Sequence, residues 1–248
     1  KATLTPGMEA AKKAHEAGNY REAVRLYTME LAAEEAKPAP NWMHLSYLHH
    51  QLGIALNVVG QYDKALDHHQ NSLAIWLKQQ SSEHLFVASC HYNIGGVHRA
   101  KGEYDKALEH HQKALAIRLK KLGSEHLSVA SSHDYIGGVH SGKGEYLKAL
   151  EEFQKALAIR LKHLGPEHPS MAVSYNNIGA MHSKNGEYDK ALELHQKALA
   201  IRLKQLGPEH PWVATSFFNL AHAYKAKKDL AKAKECFGTA YAIRLKKL

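Results

Sequence analysis

Long apolar runs and cysteine are both scarce in this 248-residue sequence, and each shortage excludes a class of protein. No apolar run approaches the roughly 20 residues that a membrane-spanning helix needs, so we expect no membrane insertion. The two cysteines, Cys90 and Cys236, have no CxxC neighbour, which excludes a disulfide framework and a zinc–thiolate site. So little cysteine favours a reducing, cytoplasmic compartment. The first residues, Lys1 to Leu4, contain neither an initiator Met nor an apolar signal segment, so we expect a piece of a longer chain.

Composition indicates a water-folding chain with an excess of positive charge. Apolar residues make up 44% and charged residues 23%, and the 33 Lys and Arg outnumber the 24 Asp and Glu to give a net charge of +9. This excess makes acidic partners worth considering but identifies none. A prior of roughly 150 residues per domain suggests one or two domains.

A repeat of 42 residues divides the chain differently. The element Gly-x-Tyr-x-x-Ala recurs at this interval, beginning at Gly18, Gly60, Gly102, Gly144 and Gly186. A weaker sixth copy is in phase at Lys228, where Ala233 continues the alanine series. We therefore expect one array covering residues 1–248, with repeats at about 1–40, 41–82, 83–124, 125–166, 167–208 and 209–248.

Each repeat has the pattern of two amphipathic helices. Between Val87 and Ala100 the apolar residues recur every three or four positions, which places them on one helical face. A break at Gly102 follows, and a second helix is predicted from Tyr104 to about Leu122. Glycines stand where a C-cap belongs, and prolines stand where the next helix begins, at Gly123, Gly165, Gly207, Pro169 and Pro211.

Small and aromatic-type residues occupy characteristic offsets within the repeat. Gly95, His98, Ala107, His111 and Ala114 stand where tetratricopeptide repeats (TPRs) have Gly, Tyr, Ala, Phe and Ala. The 42-residue length and the string Ala-Leu-x-Ile-Arg-x-Lys-x-Leu-Gly-x-x-His-Pro more particularly resemble the cargo-binding repeats of kinesin light chains. The resemblance extends from about Leu45 to the C-terminus and implies an all-α, right-handed superhelical TPR solenoid of about six helix-turn-helix repeats. It also implies a concave face lined by the first helix of each pair.

The glycines inside the first helices predict close helix packing. We expect this of Gly95, Gly96, Gly137, Gly138 and Gly179, because a glycine lets two backbones approach closely. A larger side chain there should overpack the helix pair, at a cost of about 1 to 3 kcal/mol for Gly137→Leu.

The 20 histidines fall mostly into recurring positions rather than one cluster. One series lies in the loops between repeats, and others lie early in the first helix, late in the first helix and in the second helix. His98 and His111 are expected to fill aromatic packing positions. Zinc would need three converging ligands, and pairs such as His91 and His98, seven apart, offer none. We therefore expect no metal and no cofactor, although a fortuitous surface metal site is left open.

No catalytic motif is present in the sequence. It contains no Gly-x-Ser-x-Gly, no Walker-type phosphate loop and no dinucleotide-binding glycine motif. The Glu-His pairs of the loops repeat four times, whereas a catalytic site would normally occur once in an array. We interpret these pairs as part of the helix starts and expect no enzyme activity.

Basic residues also recur by position, early and late in the second helix, and could form a phosphate track for a nucleic acid. Acidic residues such as Glu103, Asp105 and Glu109 alternate with them. We therefore expect a mixed-charge solvated face and regard nucleic-acid binding as the weaker hypothesis.

In the family, residues just before the packing glycine of each first helix face the groove, and an amide there can bond both backbone groups of an extended peptide. Here this ladder position has Gln51, Asn93, Tyr135, Asn177 and Asn219. We add to the candidate groove the neighbouring Tyr92, Asn176, Phe218, Asn57, Arg99, Lys184 and Lys225. The basic members favour an acidic ligand and the aromatic members an aromatic or apolar anchor. The Lys and Asn positions by which chaperone-binding TPR clamps hold a carboxylate are occupied by Tyr92, Gly96, Asp134 and Gly138, which argues against a clamp.

The two ends of the array differ. Residues 10–36 read as an atypical N-terminal cap, whereas the last repeat ends at Leu245 and Leu248 with an apolar edge and no capping helix. We expect either further sequence or packing against another molecule, self-association included. The main expectation is a protein-interaction scaffold that binds a partner or cargo peptide. The alternatives are an accessory or regulatory domain of a larger protein or enzyme and a nucleic-acid-binding solenoid.

Overall fold

A computed structural model describes residues Leu4–Lys246, and in this range every regular element is an α-helix. The helices, in chain order, are α1 Pro6–Glu16, α2 Tyr20–Glu35, α3 Trp42–Val58, α4 Tyr62–Gln79, α5 Leu85–Ala100, α6 Tyr104–Leu122, α7 Leu127–Gly142, α8 Tyr146–Leu164, α9 Pro169–Lys184, α10 Tyr188–Leu206, α11 Pro211–Ala226 and α12 Leu230–Leu245. They form six pairs, one in each predicted repeat. The all-α expectation is confirmed.

The chain divides into two compact units, residues 1–123 with α1 to α6 and residues 124–248 with α7 to α12. Inside each unit every helix packs against the helices that precede and follow it in the chain. The core of the first unit includes Tyr27, Leu48 and Leu52, which are at most 2% exposed. The second unit has smaller clusters, among them one around Phe153 and Ile178 and one around Leu192 and Leu220.

The glycine of the turn within each pair has the conformation that the sequence predicted. Gly102, for example, has φ = 76°, a left-handed conformation that glycine adopts at little cost. In the weak sixth copy Lys228 takes this place with φ = 65°, and it is the one residue other than glycine with positive φ in the described range. The repeat geometry therefore persists where its glycine is missing.

Histidines begin most of the first helices. The Nδ1 atoms of His84, His126, His168 and His210 each accept a hydrogen bond from the backbone N–H two residues later, in the manner of an N-cap. The preceding glutamates of these loops form ion pairs with lysines near the end of the second helix of the same repeat, Glu83 with Lys120, Glu125 with Lys162, Glu167 with Lys204 and Glu209 with Lys246. The prediction that the Glu-His pairs belong to the helix starts is confirmed.

Close packing at the first-helix glycines is confirmed at three of the predicted positions. A Cβ on Gly95 would lie 2.8 Å from Cε1 of His111, one on Gly137 2.9 Å from Cε1 of Phe153 and one on Gly179 3.0 Å from Cε1 of His195. Gly96 is different, because a Cβ there would meet no atom of the described chain within 4 Å. The packing explanation is therefore wrong for Gly96, since the helix turns this position away from its partner helix.

Candidate functional site

The predicted groove residues lie on the first helix of each pair, and we call this surface the first-helix face. In the first unit, α3 and α5 lie side by side and carry Gln51, Asn57, Tyr92, Asn93 and Arg99. In the second unit, α7 carries Tyr135, and α9 and α11, which also lie side by side, carry Asn176, Asn177, Lys184, Phe218, Asn219 and Lys225. Each unit therefore presents its own part of the predicted site.

Two asparagines of the ladder are already engaged with the preceding repeat. In the first unit Asn93 Nδ2 lies 3.3 Å from His50 Nε2, and in the second Asn219 Nδ2 donates to Asn176 Oδ1. Asn177 makes no side-chain hydrogen bond within the described residues. Gln51 makes none there either, so the ladder has two free amides and two whose orientation is fixed by a neighbour.

The aromatic side chains that flank the ladder are held by arginines of the second helices. The Arg118 guanidinium lies 5.0 Å from the Tyr92 ring centroid, and the Arg244 guanidinium 5.4 Å from that of Phe218. Such cation–π contacts contribute about 0.5 to 2 kcal/mol. Phe218 is still 37% exposed, so it remains available to a ligand.

In the two repeats between these, the equivalent arginine meets polar groups instead. Arg160 forms an ion pair with Asp134 and donates to Ser174 Oγ at 2.8 Å. Burial nevertheless raises the pKa of Asp134. Arg202, only 7% exposed, donates to Ser216 Oγ at 2.7 Å and to the Trp212 carbonyl at 3.1 Å. The bonds to Ser174, Ser216 and Trp212 tie each second helix to the first helix that follows it, whereas the Asp134 ion pair lies within one helix pair.

An open recess lies on the first-helix face of the second unit. Its lining combines small residues, amide and hydroxyl groups, one cation and two imidazoles, namely Ala180, Ser183, Lys184, Tyr188, His195, Asn219, His222 and Ala226. His195 is 3% exposed, and burial together with the nearby Arg202 lowers its pKa to about 4. The imidazole is therefore neutral at pH 7 and can serve as a hydrogen-bond donor or acceptor.

The recess brings together two of the predicted site residues, Asn219 and Lys184, and adds some that sequence reasoning assigned elsewhere. From the sequence, Tyr188 belonged only to the repeated Gly-x-Tyr element, and His195 was one of the recurring histidines of the second helices. Aromatic or imidazole side chains stand at both positions in most repeats. This periodicity gave no sign that Tyr188 and His195 also line the recess. Lys225 and Phe218 are exposed nearby on α11 but do not line it.

Several features of the described residues bear on the other expectations. In the range 4–246 no group of three or more His, Cys, Asp or Glu side chains is arranged to hold a metal ion. No helix of that range combines the length and apolarity needed to cross a bilayer. The late lysines of α6, α8 and α10 and the lysine that follows α12 are ion-paired with loop glutamates, as described above. On α12, Leu230, Tyr241 and Leu245 are at least half exposed, whereas Leu248 lies outside the described residues.

The chain is similar in sequence and structure to known tetratricopeptide repeat proteins. The family model described as tetratricopeptide repeat matches residues 44–120, 87–162, 127–204 and 170–246. Nearly identical TPR-like repeats ascribed to a kinesin light chain of Podosopora anserina are 30% identical, with 82% of this chain and 97% of that chain covered and a TM-score of 0.70. No curated protein sequence matches.

More distant solved structures have a similar fold. BtubC (BKLC) from P. vanneervenii is 22% identical over 99% of this chain and 92% of its own, with a TM-score of 0.71. Aspartyl phosphate phosphatase F from Bacillus subtilis is 16% identical over 96% of this chain and 69% of its own, with a TM-score of 0.71. At these identities the likeness shows the fold alone.

Proposed function

We propose a binding function from one premise, that this chain belongs to the tetratricopeptide repeat family. The TPR solenoid fold and the likeness to kinesin light chain repeats, both predicted from the sequence, are confirmed. Stacked helix pairs of this kind offer extended surfaces to protein partners. The fold is thus consistent with a protein–protein interaction scaffold.

The more specific proposal is a non-catalytic adaptor that binds an extended partner or cargo peptide along the first-helix face. The observation that carries it is the recess of the second unit, where amide, hydroxyl and cationic groups converge beside small side chains. Alanines at positions 180 and 226 leave room for a peptide, while Asn219 and Ser183 offer hydrogen bonds. We propose that residues 1–248 act as one array in this role.

The ladder amides would hold the backbone of the peptide. An asparagine side chain has two N–H donors and a carbonyl acceptor, so Asn177 can bond an N–H and a C=O of an extended strand together. Asn93 and Asn219 each use one donor on a neighbouring repeat and keep an acceptor and a second donor for a ligand. Fixing their orientation beforehand lowers the entropy cost of binding.

The charge of the first-helix face favours an acidic ligand. Arg99, Lys184 and Lys225 are exposed on α5, α9 and α11. Tyr92 and Phe218 supply aromatic surface in the two units, and such residues often dominate the binding energy of an interface. We therefore expect the ligand to combine acidic residues with an aromatic or apolar anchor.

An affinity pull-down with paired variants tests this proposal. The test variant is Asn93→Ala with Asn177→Ala, which removes ladder amides from both units. The matched control is Gln112→Ala with Gln196→Ala, which removes exposed amides from equivalent positions of α6 and α10. At about 0.5 to 1.5 kcal/mol per hydrogen bond, the test variant should bind a captured peptide several-fold to tenfold more weakly, and the control should not.

Two results would count against the proposal. Equal capture of the same peptide by the wild type and the test variant would remove the ladder from the binding site. Equal weakening in the control would show that the loss reflects helix stability rather than contact with the ligand. Far-ultraviolet circular dichroism of both variants checks that the helices are intact.

A further inference from the structure

Histidines are concentrated where the two helices of a repeat meet in the first unit. In repeats two and three, two successive positions of the first helix contact two successive positions of the second helix. Seven of these eight positions hold histidine, namely His49, His50, His68, His69, His91, His110 and His111. At the twelve equivalent positions of the second unit, only His133 and His195 are histidines. The two units therefore differ in how many imidazoles their helix contacts contain.

Four of these histidines form two hydrogen-bonded pairs between the helices. His49 Nδ1 lies 2.9 Å from His68 Nδ1 in repeat two, and His91 Nδ1 lies 3.1 Å from His110 Nδ1 in repeat three. In such a pair one ring nitrogen carries the hydrogen and the other accepts it. Two protonated rings would instead point N–H donors at each other, so each pair loses its hydrogen bond when both members are protonated.

The next histidines along the helices are more deeply buried. His50 is 9% exposed, and His69 and His111 are each 1% exposed. The His50 ring packs edge to face on His69 with centroids 5.7 Å apart, and its Nε2 lies 3.3 Å from Asn93 Nδ2. The charged or titratable groups that act on His69 and His111 are basic, namely His50, His68, His110, Arg99 and Arg118. A proton added here therefore places a charge in the interior beside other cations.

Acidic groups compensate the two hydrogen-bonded pairs only in part. The Glu35 carboxylate on α2 lies 4.0 Å from His49 Nε2, but its side chain is 55% exposed and water screens its charge. Glu109 lies 2.6 Å from Lys113 on the same helix, so these two charges largely cancel at the second pair. The other titratable groups that act on the pairs are Asp67, which is exposed, and His98.

The second unit fills the same positions with side chains that tolerate acid. His133 Nδ1 lies 2.6 Å from Glu152 Oε2, so a proton on this ring completes an ion pair. The next repeat has Tyr175 and Leu194, neither of which takes up a proton in mild acid. Histidine–glutamate contacts in the turns occur in both units and do not distinguish them. The repeat itself therefore folds without facing imidazoles.

These contacts decide how the two units respond to acid. Burial lowers the pKa of His49, His50 and His110 to about 4 and that of His69 to about 3, whereas an unfolded histidine has a pKa of about 6.5. The unfolded chain therefore takes up protons first, and the stability present above pH 6.5 is lost as the pH falls toward 4. Each such histidine raises the ratio of unfolded to folded molecules about 20-fold between pH 7 and pH 5. At these positions the second unit contributes His195.

We propose that the first unit is an acid-sensitive element, whose helices α3 to α6 separate in mildly acidic solution while the second unit stays folded. The protonated form of this element is the open one, since opening brings the imidazoles into water. Gln51, Tyr92, Asn93 and Arg99 lie on the helices that open, so a partner held by them is released on acidification. That release rests on the proposed binding function, whereas the opening needs no ligand.

Hydrogen exchange of the whole 248-residue chain, with no ligand present, tests the opening. Exchange measured by mass spectrometry at pH 7 and pH 5, corrected for the intrinsic effect of pH, reports on each unit separately. The amides of α3 to α6 should lose at least about 100-fold more protection than those of α9 to α12. Equal losses, or a larger loss in the second unit, would overturn the proposal. Because no ligand is present, this result does not depend on the binding function.

Matched substitutions test the histidine pairs themselves. His49→Tyr with His68→Leu, which copies Tyr175 and Leu194, should keep at least about tenfold more protection in α3 and α4 at pH 5. Tyr175→His with Leu194→His should make α9 and α10 acid-sensitive by a similar factor, and it decides the matter if the first variant does not fold. The control His84→Asn removes an exposed histidine but keeps an N-cap residue on α5, and it should change neither unit. Unchanged acid sensitivity in the substituted proteins would overturn the proposal.

Discussion

Alanine at Gly96 is expected to stabilise the protein, whereas alanine at its neighbour Gly95 is expected to give no gain or a loss. In a helix interior, alanine is about 1 kcal/mol more favourable than glycine, and both positions lie within α5. At Gly96 nothing in the described chain opposes this gain. Gly96→Ala should therefore stabilise the protein by about 0.5 to 1 kcal/mol.

At Gly95 the same methyl group would collide with His111. Its Cβ would lie 2.8, 2.9 and 3.0 Å from three ring atoms, whereas favourable contacts between such atoms lie near 3.5 to 4.0 Å. His111 is 1% exposed, so its ring has little room to withdraw. Overpacking of this kind costs about 1 to 3 kcal/mol, which exceeds or cancels the gain in helix propensity.

Because helix propensity is common to both variants, the difference between them isolates the packing cost. Urea denaturation followed by circular dichroism should place the midpoint of Gly96→Ala above, and that of Gly95→Ala below or near, that of the wild type. We expect the two free energies of unfolding to differ by about 1 to 3 kcal/mol. Equal midpoints for the two variants would refute the close approach of α5 and α6 at Gly95.

Three further substitutions test other parts of the structure. Gly137→Leu should lower the stability by about 1 to 3 kcal/mol, since even a Cβ would lie 2.9 Å from Phe153, and an unchanged urea midpoint would contradict this packing. Lys228→Gly should raise the thermal midpoint by relieving a left-handed conformation, a gain of roughly 1 kcal/mol, and a decrease would be inconsistent with φ = 65°. His195→Phe should reduce the loss of stability on acidification. The pKa of His195 is about 4 in the folded state and 6.5 in the unfolded state, so the unfolded state takes up the proton first as the pH falls. The contribution of His195 to the free energy of unfolding is therefore complete above pH 6.5 and falls by roughly 3 kcal/mol as the pH drops to 4. Urea midpoints of the two proteins at pH 7 and 4.5 measure this, and parallel decreases would exclude the role of His195.

Much of the helical framework was predictable, because its signals are local. The turn glycines need a left-handed φ, the prolines fit the first turn of α9 and α11, and the apolar period specifies which face is buried. A 42-residue period then places every helix from a single repeat. The start of α5 differs slightly from the prediction. The helix begins at Leu85, two residues before the predicted Val87, because His84 caps it.

The contacts of the candidate site were harder to predict, because they depend on how neighbouring helices are rotated about their axes. The sequence predicted the same close packing for Gly95 and Gly96, yet a rotation of about 100° per residue turns one toward α6 and the other away. The pairing of His91 with His110 rather than with His98 likewise needs the register of two helices. Sequence periodicity identifies equivalent positions in different repeats, but it does not identify which side chain each position contacts on the neighbouring helix.

The loop glutamates described above have a consequence for how the array can change. Each pairs with a lysine 37 residues later, so the bond links the start of a 42-residue repeat to its own end. By contrast, the Asn93–His50 and Asn219–Asn176 contacts cross from one repeat to the next. A whole repeat could therefore be inserted, removed or exchanged without breaking its Glu–Lys ion pair, because both partners belong to the same repeat. What such an exchange would rewrite is the succession of side chains on the first-helix face, which makes the repeat the natural unit for engineering a different ligand preference.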